Sequence, residues 1–502
     1  MKITPYLIGG AFAGVAALVA SQMRPAAPAQ ASAPVSAAPS PYQLPSDNFV
    51  ANQGSVDAFA WQEFIALNWA ASSYPGRPDT TQQFSSFGTP GDFGPGVWGT
   101  YKDVSEVFAS TPPGPWQAGL QKLASQNVTK RFSMISKVDK RLQPGSRAGL
   151  LRSANLSAAD KAQEEIIQAQ GNWLTDQLGN LIWYEVRLNE DEFKYITTNK
   201  LYDADAQVAF AQKQGIWLPD GTNQYGPSGA VEVKAAWRVI PTAQLAQYQG
   251  RYKIVKGLIP QQVVVTASKT TFGDYQPAYL GLVGLHIIRK TPNFPQFTWA
   301  TFEHVDLAPT EGQPVDPQTN YLLFNKNCPN QCGVNNPKGC LANQSPQPGV
   351  DSLTTPVQAL RCKTGIPDDN AVAAVNQSYQ QKIKAANPAS VFQYYRLVST
   401  QWPSSPASDP TGAAPRPTPL PTGGIKPTVL GNLASETYAL QQGCMSCHQY
   451  GNSLAKSSTG KTLASDYSFV FGLAQKMSVP KSAPPKIKTR QPQVRPARVP
   501  RG

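Results

Sequence analysis

Four segments between residues 230 and 306 constrain the fold most, because each has the composition of a β-strand. Their sequences are AVEVKAAWRVI, QQVVVTAS, YLGLVGLHIIRK and QFTWATFEHVD. Each segment is rich in β-branched or aromatic residues and is bounded by turn formers. An earlier segment, NLIWYEVRLN at 180–189, alternates in the same way. Together they predict a sheet of mainly antiparallel strands.

Two helices are predicted before these strands. The first is SVDAFAWQEFIALNWAA, for which Ser55 or Asp57 is the candidate N-cap. The second is SAADKAQEEIIQAQGNWLTDQL, residues 157–178. Helices followed by strands favour an α+β fold for this large N-terminal domain. The chain has no repeat of 20–50 residues, which disfavours propellers and solenoids.

The first 31 residues predict a secretory signal peptide. Lys2 precedes an apolar run, and the Ala29-Gln30-Ala31 triplet fits the small-x-small rule for cleavage. An uncleaved membrane anchor is the alternative, because residues 6–23 are nearly long enough to span a bilayer. Either interpretation places the folded part of the chain in the periplasm.

Basic residues are concentrated at the two ends of the chain. The formal net charge is +13, but the last 22 residues carry seven basic groups and no acid, and two more lie in the leader. Without these nine, 35 basic groups face 31 acidic groups, so the body is close to neutral and does not indicate a nucleic-acid partner. The tail, residues 481–502, is predicted to be disordered and to act through charge on an anionic membrane surface or an acidic partner.

A Cys-x-x-Cys-His motif occurs once, as CMSCH at Cys444, Cys447 and His448. In such a motif two thiols add to the vinyl groups of haem, and the histidine becomes the proximal ligand of the iron. On a helical turn the three residues share one face. The alternative is a redox dithiol beside a chance histidine, which is disfavoured in a chain with three histidines. The motif predicts one covalent haem c.

The second axial ligand of a six-coordinate haem iron is usually His or Met. The candidates are His304 as first choice, then His286, with Met477 and Met134 as further possibilities. Both histidines lie on predicted strands, where a buried structural histidine is the alternative for each. Met477 lies on the stripe of a helix predicted to begin near Asp466, and such a stripe is also typical of core packing.

Four further cysteines predict two disulfide bonds in an oxidising compartment: Cys328, Cys332, Cys340 and Cys362. Three pairings are open, and the sequence does not choose among them. A zinc site made of the same four thiols is the competing interpretation. It is disfavoured because spacings of 3, 7 and 21 intervening residues do not form two Cys-x-x-Cys knuckles.

Proline-rich sequence divides the chain. Residues 32–50 are predicted to be a mobile linker, and residues 401–427, with eight prolines, a semi-rigid spacer. They delimit an α+β domain of unknown function over 51–400 and a short α-helical haem segment over 428–480. Because so short a segment buries little surface alone, we expect the large domain to close over the haem.

The segments FAWQEFIALNWA, VEVKAAWRVI, GLHIIRKTPNFPQFTWATFEHVD, CMSCH and SDYSFVF together resemble a family of large, exported, single-haem cytochrome c-like bacterial proteins. The resemblance spans about residues 55–475. It implies a periplasmic haem protein with electron-transfer activity, whose large domain has no established substrate. It carries Cys444, Cys447 and His448 over as the haem-binding residues.

Three functions are compatible with the sequence. The favoured one is electron transfer through one covalent haem to a docked redox partner protein. The second is a haem-dependent oxidoreductase whose large domain binds a small molecule, and the third is an envelope binding module whose haem is structural or a sensor. Five tryptophans are candidates to line a substrate pocket, with core packing as their alternative role: Trp61, Trp69, Trp183, Trp237 and Trp299.

Overall fold

An eight-stranded antiparallel sheet is the largest element of the structure, which is a computed structural model. The structure describes residues 40–117, 173–261, 263–265, 270–272, 274–327, 352–361, 370–406, 415, 423–438, 440 and 442–477. All of these residues belong to one compact unit, Ser40–Gly502.

The strands of the described residues are, in chain order, β1 (Lys102–Asp103), β2 (Trp183–Leu188), β3 (Val231–Ile240), β4 (Ile254–Pro260), β5 (Val263–Val265), β6 (Thr270–Phe272), β7 (Tyr275–Thr291), β8 (Phe294–His304), β9 (Tyr395–Ser405), β10 (Gly423–Lys426), β11 (Asn452–Lys456) and β12 (Thr462–Ala464). The large sheet has the order β1-β2-β3-β7-β8-β9-β10, and β4 also pairs with β7. Every pairing in it is antiparallel. The predicted α+β class with mainly antiparallel strands is therefore confirmed.

The α-helices are fewer and mostly short: α1 (Gln53–Asn68), α2 (Val104–Val107), α3 (Glu190–Thr198), α4 (Ala204–Gln214), α5 (Leu245–Tyr248), α6 (Asn370–Ala386) and α7 (Cys444–His448). The first predicted helix is α1, although its cap is Asn52, whose side chain accepts from the Ser55 N–H. The C-terminal part of the second predicted helix is not helical. There Thr175 forms a β-bridge with Leu181, and the Asp176 carboxylate accepts backbone N–H bonds that shape a turn.

One face of the large sheet packs against α1 and α6. Side chains alternate along a strand, so Phe302 of β8 points to this face. The rings of Trp61 and Phe64 on α1 lie 5.1 and 4.4 Å from the Phe302 ring, between centroids. The Tyr379 ring on α6 stacks on Trp61 at 5.6 Å. This layer of packed aromatic rings holds the two helices against the sheet.

The opposite face of the sheet carries the C-terminal segment. Asn432 donates from its amide to the Thr301 hydroxyl at 2.9 Å, and the Tyr184 hydroxyl donates to the Ala434 carbonyl at 2.6 Å. Gly284 leaves room for this segment, because a Cβ there would lie 3.0 Å from the Ala434 Cβ. The sheet and the segment thus share one core.

The prediction that residues 428–480 form a short α-helical segment is wrong for the part that the structure describes. Within the described part of this segment the only α-helix is α7, which is followed by the β11–β12 hairpin. The hairpin turns at Gly460, whose φ is 79°, a conformation that glycine adopts readily. The expected helix near Asp466 is replaced by a 3-10 turn at Val470–Leu473, and Met477 lies beyond it.

The two proline-rich stretches are partly described. In residues 40–50 the Tyr42 ring packs 5.6 Å from Trp69, and the Pro45 carbonyl accepts from Arg289 at 2.9 Å. This part of the expected mobile linker is therefore packed on the domain. The ends of the expected spacer lie side by side, because Gly423 pairs with Ser405 in the β9–β10 ladder.

Several predictions fall outside the described residues. These are the leader 1–31, the tail 481–502, most of the helix over 157–178, Met134 and the four cysteines Cys328, Cys332, Cys340 and Cys362. Among the described residues, no helix has both the length and the apolarity that a bilayer crossing requires.

Candidate functional site

The Cys-x-x-Cys-His motif forms the short helix α7, which is anchored to the sheet by Gln401 of β9. The side-chain oxygen Oε1 of Gln401 accepts from the Met445 N–H at 2.6 Å, and the side-chain amide nitrogen Nε2 donates to the Pro427 carbonyl at 2.6 Å. Gly443 permits this close approach, because a Cβ there would lie 2.8 Å from the Thr428 carbonyl. One strand side chain thus fixes both the start of α7 and the chain that leads to it.

The two thiols of the motif are neutral. Cys444 is half-buried and Cys447 is buried, with its thiol 3.0 Å from the Gln442 side-chain oxygen. Burial, followed by the nearby Glu436 carboxylate, raises the pKa of Cys447 to about 12 and that of Cys444 further. Neither sulfur is a thiolate at neutral pH, which disfavours a reactive redox dithiol.

His448 is held with one ring nitrogen engaged. Its Nδ1 lies 2.8 Å from the Tyr467 carbonyl, which can only accept, so Nδ1 carries the proton and donates. Burial lowers the pKa of His448 to about 4, so the ring is neutral at pH 7. The Trp299 and Phe469 rings flank it, with centroids 4.5 and 4.9 Å away. A ring nitrogen oriented by a carbonyl is common among metal-ligating histidines.

Three polar side chains, here called the polar cluster, lie on the same sheet face as the motif: Lys234, His286 and Glu436. Lys234 of β3 is the register partner of His286 on β7. The Glu436 carboxylate reaches both, with one oxygen 3.4 Å from Lys234 Nζ and the other 3.2 Å from His286 Nε2. Burial is the main cause of the lowered pKa of His448, and the charges of Lys234 and His286 lower it further.

His304, the first choice for distal ligand, is placed as a structural histidine. It is fully buried, and strand alternation puts it on the face opposite Trp299. Its Nε2 lies 3.1 Å from the Arg251 carbonyl, and its Nδ1 accepts from the Asp306 N–H at 3.1 Å. Because both nitrogens are engaged and the Tyr252 ring stacks at 3.9 Å, His304 has no nitrogen to give an iron.

His286, the second choice, is the remaining histidine on the motif's side of the sheet. Its strand neighbours are Lys234 and Thr301, and Thr301 in turn binds Asn432 of the C-terminal segment. Met477 is half-buried at the end of the described segment. The choice among His304, His286 and Met477 as distal ligand stays a prediction, and the engaged ring nitrogens of His304 weigh against it.

The motif residues offer the types of group that bind haem c. Among the described residues, no group of three His, Cys, Asp or Glu side chains is placed to hold a metal ion. Two separate neutral thiols and one oriented imidazole are instead the groups that a covalently tethered haem requires.

Several residues that shape the site were missed by sequence reasoning. The sequence suggests Trp299 as a candidate to line a pocket, whereas in the structure its ring contacts the motif histidine. Tyr467 lies in SDYSFVF, a segment that supports the resemblance but to which the sequence assigns no function. Its backbone carbonyl, not its side chain, contacts His448. Gln401 lies in a stretch predicted to be spacer. The five tryptophans share no common pocket, because Trp61 and Trp299 contact opposite faces of the sheet.

No protein family, curated protein or solved structure matches this chain. The resemblance to large single-haem cytochrome c-like proteins therefore stays a prediction.

Proposed function

We propose that this chain is a periplasmic c-type cytochrome-like protein that transfers electrons through one haem, bound covalently by Cys444 and Cys447. The observation that carries the proposal is the state of His448. Its Nδ1–H is donated to the Tyr467 carbonyl, which leaves Nε2 as the nitrogen that would bind the iron.

When bound, haem supplies a one-electron redox couple. The residues of the chain supply the rest. The two sulfurs tether the group, the Tyr467 carbonyl fixes the histidine tautomer, and Trp299 and Phe469 hold the ring in place. The aromatic side chains of Trp299 and Phe469 would reduce the access of water, which is a means of setting a reduction potential.

The large sheet supports this function by covering the motif. Strands β3, β7, β8 and β9 all contribute side chains to the face on which α7 lies. An electron carrier needs such a rigid scaffold and a docking surface for a redox partner protein. The basic tail at 481–502 is proposed to strengthen association with an anionic membrane surface or an acidic partner.

Haem attachment is tested on the full-length chain, expressed with a machinery that attaches haem c. Denaturing electrophoresis with haem staining is expected to show one haem in the wild type and none in the Cys444→Ala/Cys447→Ala variant. Ser446→Ala is the matched control, because it changes the same helical turn and spares both thiols. A stain that persists in the double variant would falsify the attachment sites.

A haem-dependent oxidoreductase is the second candidate, favoured by the polar cluster. Lys234, His286 and Glu436 together can hold and move a proton beside the motif. Optical and EPR spectra of the purified protein distinguish the two functions. A low-spin haem without turnover favours the electron carrier, whereas a high-spin haem with peroxide-dependent turnover that His286→Ala abolishes favours the enzyme.

A further inference from the structure

The turn that presents the Tyr467 carbonyl to His448 has a backbone that needs external support. Asp466 has a φ of 52° and Tyr467 a φ of 66°. For residues other than glycine this left-handed conformation brings the Cβ against a carbonyl oxygen, and two such residues in succession are disfavoured. The turn therefore persists because its surroundings hold it.

Lys290 of β7 supplies that support. Its Nζ lies 2.7 Å from a carboxylate oxygen of Asp466, and the Leu218 N–H donates to the same oxygen at 2.9 Å. The Lys290 and Asp466 side chains are only 0% and 2% exposed. Because a buried ammonium group needs an opposite charge beside it, the pair ties the turn to the sheet.

Gly451 approaches the same turn from the other side. It follows His448 by one turn of chain, and its N–H donates to the His448 carbonyl at 2.8 Å. A Cβ at Gly451 would lie 2.7 Å from the carbonyl carbon of Tyr467 and 2.8 Å from its oxygen. The Tyr467 carbonyl is thus held between Gly451 and the Lys290–Asp466 pair.

We propose that Lys290 is a positioning residue for the proximal histidine, and that it sets the reduction potential of the haem through Asp466 and the Tyr467 carbonyl. The inference rests on the proposed function, since it requires haem at Cys444, Cys447 and His448. It assigns to the large sheet a direct part in tuning a group that is bound elsewhere in the chain.

The hydrogen bond between His448 and the Tyr467 carbonyl connects the turn to the iron. A carbonyl that accepts from Nδ1–H makes the other ring nitrogen a stronger donor, and a stronger donor stabilises ferric over ferrous iron. If the turn relaxes, the Tyr467 carbonyl moves away from His448. The haem then becomes easier to reduce, and its midpoint potential shifts to a more positive value.

The experiment compares midpoint potentials of the full-length, haem-loaded protein. Lys290→Met removes the charge and keeps the length of the side chain. It is expected to raise the equilibrium constant for reduction about tenfold, which is about 59 mV for a one-electron couple. The NMR signal of the His448 Nδ1 proton in the reduced protein is expected to exchange faster with solvent.

Gly451→Ala is the second variant and keeps the Lys290–Asp466 pair. Its Cβ pushes on the Tyr467 carbonyl, so the potential is expected to shift in the same direction as in Lys290→Met. If Lys290→Met does not accumulate in a folded form, Gly451→Ala alone decides, and an unchanged potential and Nδ1 proton overturn the proposal.

Arg251→Met is the control, because it breaks the Arg251–Asp306 ion pair beside Tyr252 and His304, away from the Tyr467 turn. Its potential is expected to match the wild type. An equal shift in this control would show general loosening and overturn the proposal. Wild-type protein without covalent haem would instead refute the proposed function, so the two failures are distinguishable.

Discussion

At the residue scale, the three histidines of this chain have three different environments. One ring nitrogen of His448 donates to a backbone carbonyl. Both ring nitrogens of His304 are hydrogen-bonded to backbone groups, and Nε2 of His286 lies 3.2 Å from the Glu436 carboxylate. The residue type alone predicts none of these differences. They follow from which sheet face each strand position occupies and which backbone groups lie opposite.

The histidine environments predict which substitution alters the iron. His286→Ala is expected to change the low-spin optical spectrum of the haem protein to a high-spin one, because it removes the distal candidate on the motif's face. His304→Ala is the matched control. It should keep the spectrum but lower the free energy of unfolding by about 1–3 kcal/mol, since two buried hydrogen bonds are lost. A high-spin spectrum in the His304 variant alone would reverse this assignment.

At the element scale, the short helix α7 is too short to be stable by itself, so its position depends on Gln401 and Gly443. Gln401→Ala leaves the Met445 N–H and the Pro427 carbonyl without their side-chain partner. We expect it to lower the free energy of unfolding by about 1–3 kcal/mol and to reduce the yield of covalent haem. Denaturant titration and haem staining measure the two effects.

The control for this prediction is Gln393→Ala. The Gln393 amide also bonds two backbone carbonyls, but these belong to its own turn, at Pro388 and Ser390. It is expected to keep the wild-type haem yield. If both variants lose haem equally, Gln401 has no particular role in placing α7.

The sequence predicts these elements unevenly, for a physical reason. Strands β3, β7 and β8 are long and rich in β-branched and aromatic residues, so their local signal agrees with their packing. The strands of the β11–β12 hairpin are short and have no clear alternating pattern, so Gly460 in the turn is the one residue that could indicate a hairpin there. The support of His448 by the Tyr467 carbonyl is a backbone contact between distant residues, which no side-chain pattern encodes.

At the scale of the whole molecule, the C-terminal segment and the sheet form one core. Residues 428–480 expressed alone with haem attached are therefore expected to lack stable structure and to give a high-spin or heterogeneous spectrum. Circular dichroism and optical spectroscopy measure this. A folded, low-spin segment with a methionine–iron band would show that the sheet is dispensable, and would make Met477 the distal ligand.

The buried acids of this core predict a pH dependence of stability. Burial, together with the neighbouring Glu232 carboxyl, raises the pKa of Glu192 well above its ordinary value of 4.5, and burial raises that of Glu63 to about 7. The folded state then binds more protons than the unfolded state. The stability that these two acids contribute is therefore fully present below about pH 4.5 and is lost as pH rises towards 7 and above.

Glu192→Gln removes one of these buried acids. We expect it to raise the free energy of unfolding at pH 8 by about 1–3 kcal/mol and to change it little at pH 4.5, as measured by urea titration. Glu106→Gln is the control, because the Glu106 side chain is 54% exposed. A Glu192 variant that is less stable than the wild type at pH 8 would contradict the expectation.

The burial of the Cys447 thiol has a consequence for the order of events during maturation. A catalyst that joins both sulfurs to haem must reach them, and in the docked segment Cys447 is only 9% exposed. Every strand of the large sheet precedes the motif along the chain. The sheet can therefore form before the segment that follows residue 427 docks on it. Attachment and docking then compete in time, and a chain that docks before it receives haem is expected to be a dead end that pulse-chase labelling would reveal as a persistent haem-free pool.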